Sequence, residues 1–141
     1  MKLDAIQLLL LYGITAITFF VIDLIWIGGY AKGFYANHVG HLMGERVNWA
    51  AALIFYGVYI GGILLFVLIP ALQSGSSVMH VMVMGGLLGL FAYSTFDLTA
   101  LALFKEWSVI VTVVDIAWGA FLTASTASIT HWITQNLLKL S

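Results

Sequence analysis

The chain has no cysteine, a single proline and few charges. Without cysteine there is no disulfide framework, thiolate metal site, iron–sulfur cluster or cysteine nucleophile. Charged residues make up 8% of the 141, against about 25% in a typical soluble domain. That is too little polar material to coat a soluble fold of this size. Neither sign of charge is in excess. The net charge is −1, so there is no basic field for nucleic acid, and no nucleic-acid partner is expected. Phosphate-cradling loops, serine nucleophile elbows and dinucleotide fingerprints are missing too. What the chain does have is apolar residues, at 62%. This excludes disorder and points to a membrane protein whose main partner is the lipid bilayer.

A helical span needs about 20 mainly apolar residues to cross about 30 Å of hydrocarbon. Four stretches qualify, at about 5–30, 48–69, 78–104 and 108–134. The expected fold is therefore an all-α integral membrane four-helix bundle, with residues 1–141 as one four-span domain. Pro70, the only proline, suits the end of the second span. A cleaved signal peptide is not expected, because the first apolar run is too long and no small-residue cleavage site follows it. Short links at Ala71–Ser77 and Lys105–Trp107 make neighbouring helices antiparallel. The Ala31–Val47 link is longer. Its Phe34, Tyr35, Val39, Leu42 and Met43 recur at roughly helical spacing, which reads as an amphipathic segment on the interface or folded over the bundle. Four spans put both termini and the Ala71–Ser77 turn on one side, here side A. Side B holds the Ala31–Val47 segment and the Lys105–Trp107 turn. Lysine and arginine counts of two against three lean weakly towards a cytoplasmic side B.

Three of the six acidic residues lie inside the spans: Asp23, Asp97 and Asp115. An Asp near a helix centre costs about 2.5–3.5 kcal/mol on insertion scales, and such residues mark functional sites by default. Each lies about seven residues from the side B end of its span, roughly 10 Å deep. The expectation is one carboxylate layer below the side B surface. The helix dipole tolerates Asp115 near a helix start and opposes Asp23 and Asp97 near helix ends, so those two have the greater need of a proton or a cation. Trp26 and Trp118 each sit three residues after an acid, on the same face. Tyr93, Ser94 and Thr112 offer hydroxyls within a turn of the acids, and Lys32, Arg46 and Lys105 offer counter-charges. Each single feature also has a plainer structural use, since a buried Asp often only pairs helices.

The remaining polar residues are less specific. His38, His41 and Glu45 are a weak metal-ligand set, because the spacing does not match H-E-x-x-H. No cofactor is indicated. His80 and His131 read as interfacial residues near side A. Trp49, Trp107 and Trp132 fall near span ends, as belt residues do. Gly57 with Gly61, and Gly85 with Gly89, are small-xxx-small pairs suited to close helix contact or to a homodimer face.

Three strings together resemble a known family. They are Ala31-Lys32-Gly33-Phe34-Tyr35 followed by His41-Leu42, Phe91-Ala92-Tyr93-Ser94-Thr95-Phe96-Asp97-Leu98-Thr99, and Val114-Asp115-Ile116-Ala117-Trp118-Gly119. The family is that of small bacterial membrane proteins catalogued as domain of unknown function 2177, and the resemblance covers nearly the whole chain in order. It implies a four-helix protein of the bacterial inner membrane and supplies no catalytic residues. Ala100 and Ser108 stand where family members often carry asparagine and proline.

Three functions follow from this pattern. The first is a pocket near side B that binds, and in principle modifies, a lipid-like or small apolar ligand. Asp23, Asp97 and Asp115 would be its floor, Trp26, Trp118 and Tyr93 its walls, and His38 and His41 part of its lid. The second is proton- or cation-coupled transport. The third is an accessory role beside another membrane protein. The sequence specifies no reaction, so whether the protein is an enzyme stays open.

Overall fold

The structure, a computed structural model, describes residues 3–139. Four long helices run through them: α1 (Ala5–Leu42), α2 (Trp49–Ser74), α3 (Val78–Leu103) and α4 (Val109–Asn136). All four are long and apolar enough to cross a membrane, and there is no strand among the described residues. Each helix starts on a polar side chain that accepts from its first turn. Asp4 and Gln7 form a reciprocal pair at 2.8 and 3.0 Å. Asn48 accepts from Ala51 N, Ser77 from His80 N and Ser108 from Val111 N. These caps satisfy otherwise orphaned amides where each apolar run begins. Gly75, at φ 68°, ends α2 in the left-handed conformation that glycine adopts without strain.

Two boundaries differ from the sequence reading. α2 does not stop before Pro70 but continues to Ser74. A wide π turn at Leu64–Leu68 precedes the proline, and the Ile69 amide bonds Leu64 O. This shift of register absorbs the donor that proline lacks, so the helix survives it. Nor does α1 stop at Tyr30. A second π turn at Ile27–Ala31 carries it on as far as Leu42. The residues expected to form a separate amphipathic segment are thus mostly the last turns of α1, followed by an irregular link from 43 to 48.

α1 bends across the bundle end. Its Asp23 meets Trp118 of α4. Tyr35, twelve residues further on, meets Asp115. Twelve residues of straight helix would rise about 18 Å, whereas Asp115 and Trp118 are separated by about 4.5 Å of rise. Only a helix that leans over the start of α4 makes both contacts, and the π turn lies between them. Ala31 and Val39 are accordingly buried.

α3 and α4 form the tightest pair. A Cβ on Gly85 would lie 3.1 Å from Thr123 O, and one on Gly89 would collide with Gly119 O and lie 2.8 Å from Thr123 Oγ1. Gly119 in turn receives the ring of Tyr93. The Gly85–Gly89 pair is therefore used inside the chain. Of the Gly57–Gly61 pair, Gly57 O accepts from the Tyr12 hydroxyl of α1 at 2.9 Å, while a Cβ on Gly61 would meet nothing within 4 Å. α2 is buried only along its second half, through Tyr59, Ile60, Ile63, Leu64, Val67, Leu68, Ala71 and Leu72. Its first half, with Leu53, Ile54, Phe55 and Val58 exposed, leans away from the bundle on side B.

The Gly89 contact is with backbone, which cannot yield as a flexible side chain does. Gly89→Ala is therefore expected to destabilise the protein by about 1–3 kcal/mol, and Gly61→Ala to leave it unchanged. Thermal unfolding of both variants in detergent checks this. Equal melting temperatures would refute it.

Candidate functional site

The interior acids meet near side B, where α1 crosses α4. Asp97 is fully buried, Asp23 is 9% exposed and Asp115 is half-buried. Asp97 lies beside Asp115, and Asp23 has Asp115 as a charged neighbour. The register follows from the fold. The Gly89–Gly119 contact fixes α3 against α4, and one further turn or two along each helix brings positions 97 and 115 together.

The partners of the three carboxyls differ. Asp115 Oδ1 accepts from the Tyr35 hydroxyl at 2.6 Å. Asp23 Oδ1 accepts from Trp118 Nε1 at 3.2 Å, and Tyr56 approaches it from α2. Asp97 receives no donor from any other described side chain, and its polar neighbour is the Asp115 carboxyl, with which it can share a proton. Among the described residues the one ion pair joins His41 and Glu106 at 3.4 Å, both well exposed. Lys32, Arg46 and Lys105 are exposed and neutralise none of the acids.

Aromatic rings enclose the cluster. Trp26 stacks on Trp118 at 4.5 Å and 13°. From Trp26 a ladder of rings climbs α1 through Tyr30, Phe34 and His38, with centroids 4.6–5.7 Å apart. The four-residue spacing drifts around an ordinary helix, and the wider π turn reduces that drift. On α3, Tyr93 packs over Gly119 and Phe96 meets Trp107 edge-on at 5.8 Å.

Two clefts flank the cluster. One, of about 420 Å³, lies where α2 leans away and is lined by Phe55, Ala92, Tyr93, Phe96 and Asp115. The other, of about 380 Å³, lies under the end of α1, and Tyr35, Val39, Phe96, Asp97, Trp107 and Asp115 are among its walls. Phe96 and Asp115 belong to both. The arrangement offers apolar space with a few convergent oxygens.

Several residues lie elsewhere than the sequence indicated. Thr112 turns its hydroxyl back to Ser108 O at 2.9 Å rather than to Asp115. The hydroxyl on Asp115 is that of Tyr35, which the sequence places among the apolar positions of an amphipathic segment. Trp107 lies at a span end, as expected, and is half-buried. Its indole nitrogen is buried and it walls the second cleft. His38 and His41 do not reach the acids. His38 Nδ1 is on Phe34 O at 2.9 Å, and His41 faces Glu106. Glu45 is exposed, and among the described residues no group of three histidine or carboxylate side chains is placed to hold a metal. His131, expected at the interface, is 1% exposed, while His80 is on the surface.

Four apolar helices, capped by polar residues and enclosing acids that no cation pairs, define a polytopic α-helical membrane protein. Residues 8–132 match the family described as "Predicted membrane protein (DUF2177)", and the chain belongs to that family. No curated protein and no solved structure matches it.

Tyr35→Phe removes the donor to Asp115 and keeps the ring. A loss of about 0.5–2 kcal/mol in stability is expected, the range between hydrogen bonds measured in membranes and those to charged groups. Trp118→Phe, which keeps the stack on Trp26, should cost a similar amount, and Trp118→Ala clearly more. Unfolding midpoints in detergent test the order. Equal losses for the two Trp118 variants would refute the role given to the stack.

Proposed function

We propose that the side B end of the bundle is a binding site for a lipid-like or small apolar ligand, with Asp23, Asp97 and Asp115 as its polar floor. The observation that carries this reading is the fully buried Asp97 carboxyl, whose polar neighbour is the Asp115 carboxyl, at the wall shared by two apolar clefts. Two carboxyls this close in a low-dielectric interior need a proton or a cation between them. With no lysine or arginine on them among the described residues, the pair shares a proton when empty, and a ligand head group can replace that proton if cationic or hydrogen-bond to the protonated pair if a hydroxyl. The chemistry that fits is an apolar body with an amine or hydroxyl head. Trp26, Trp118 and Tyr93 shape the surrounding wall, and the end of α1 covers it through Tyr35 and Val39. Entry runs laterally from the bilayer, past the half of α2 that stands away from the bundle. His38 and His41 sit on the outer surface of this cover and take no direct part. The family resemblance favours the inner membrane of a bacterium as the location.

Native mass spectrometry of detergent-purified protein tests the site. A retained amphiphile is expected on the wild type, lost in Asp97→Asn and Asp115→Asn at unchanged melting temperature. A bare wild-type protein, or equal retention in both variants, would overturn the reading.

A further inference from the structure

The inner face of α4 carries a second polar feature, below the carboxyl cluster. Thr123, Thr126, Thr130 and Thr134 recur every three or four residues, so they share one stripe. All four are fully buried, and His131 beside them is 1% exposed. Two of the hydroxyls are accounted for. Thr123 Oγ1 donates to Gly119 O at 2.8 Å and meets the Tyr59 hydroxyl at 2.7 Å. Thr134 Oγ1 lies on the carbonyls of Thr130 and His131. Thr126 Oγ1 and Thr130 Oγ1 have no protein partner, and the His131 ring has only the backbone of Ser76 near it, outside good hydrogen-bond geometry. Apolar residues of the same shape would fill these places without leaving a polar group unsatisfied.

Spacing indicates what satisfies them. Hydroxyls three or four residues apart are separated by about 5–6 Å of helix rise. A direct hydrogen bond spans about 2.8 Å, so neighbouring hydroxyls of the stripe do not bond one another and need a bridging group. Water enters buried sites that offer it several polar partners, whereas apolar cavities stay dry. The stripe also has two defined ends. Towards side B, Tyr59 stands 6.1 Å from Tyr93, and Tyr93 shares a cleft wall with Asp115. Towards side A, His131 lies against the backbone of Ser76, in the turn that closes α2 onto α3.

We propose that the inner face of α4 is a hydrated proton path that joins the Asp97–Asp115 pair to side A, with His131 as its terminal group. Each hop breaks one O–H or N–H bond and forms another on the next group. One proton enters at the carboxyl pair for each that leaves at His131, and no oxidant or reductant is needed. The path uses the carboxyl pair of the proposed binding site but does not depend on the ligand.

The test is proton flux into proteoliposomes that contain a pH dye, driven by a potassium diffusion potential. Wild-type protein is expected to exceed protein-free vesicles. Asp97→Asn, His131→Leu and Thr130→Val should each lose about tenfold or more of that excess, in line with the usual weight of a positioned proton carrier. Thr95→Val, whose hydroxyl only bonds Phe91 O on an exposed face, should keep it. Wild-type flux no greater than that of empty vesicles overturns the proposal, as does full flux in both His131→Leu and Thr130→Val. Should His131→Leu fail to fold, Thr126→Val replaces it. Mass spectrometry of the same samples separates the two readings: retained ligand with lost flux supports the path and leaves the binding site standing, and retained ligand with full flux in both His131→Leu and Thr130→Val sinks the path alone.

Discussion

The close approach of α3 to α4 at Gly89 and Gly119 is the constraint on which the site depends. No side chain separates the backbones there, and Tyr93 fills the space over Gly119. Helix association in lipid gains little from apolar burial, because the tails are as apolar as the side chains, so close backbone packing has to supply the attraction. Once that contact sets the register, Asp97 and Asp115 face one another as a consequence. The cost of their approach is offset in part by Tyr35, which α1 delivers by bending at its π turn. The packing of glycines and the placement of carboxyls are one arrangement.

The polar and apolar residues are distributed as a membrane requires. Outward positions such as Leu9, Ile17, Leu53, Val58, Phe91 and Val113 are exposed hydrophobics, suited to lipid. The inner face of α4 is threonine-rich instead. Many of its hydroxyls return to a carbonyl one turn back, as Thr112, Thr123 and Thr134 do. This satisfies the hydroxyl within its own helix and leaves small side chains on the inner face. The helices thus pack closely over a seam that keeps a polar lining.

Much of the architecture was legible because length and hydropathy dominate in lipid. The four spans and their starts needed only residue counts. Pro70 misled the reading, because proline usually ends a helix and the rescuing π turn has no sequence signature. The end of α1 was missed for a related reason: the glycines at 28, 29 and 33 and the polar residues beyond resemble a link, yet no proline breaks the helix. Tyr35 was legible in part, since Trp26, Tyr30, Phe34 and His38 recur every four residues and announce a continuous helix. That Tyr35 reaches Asp115 depends on the bend, which only packing decides. His131 read as interfacial from its distance to the chain end. Its burial arises because the Gly75–Ser77 turn folds over it, a contact that hydropathy cannot register.

The polar groups fall into two sets. Those that build the fold are satisfied: the caps at Asp4, Asn48, Ser77 and Ser108 each accept a bond, and the turn hydroxyls of Ser74 and Ser76 pair at 2.9 Å. Those without partners include the indole nitrogens of Trp26 and Trp107, but most lie on α3 and α4, in both Asp97 oxygens, Thr126, Ser128, Thr130 and His131. Stability alone would favour the opposite, since leucine at 97 or valine at 126 and 130 leaves nothing to satisfy. Sequences agree with their folds at every level except where a site needs otherwise. Here the conflict falls along one seam, from the carboxyl pair near side B to an imidazole near side A. Asp97 differs from the other two acids: Trp118 donates to Asp23 and Tyr35 to Asp115, whereas the polar neighbour of Asp97 is the Asp115 carboxyl itself. The proposed roles of the α3–α4 seam rest on that difference.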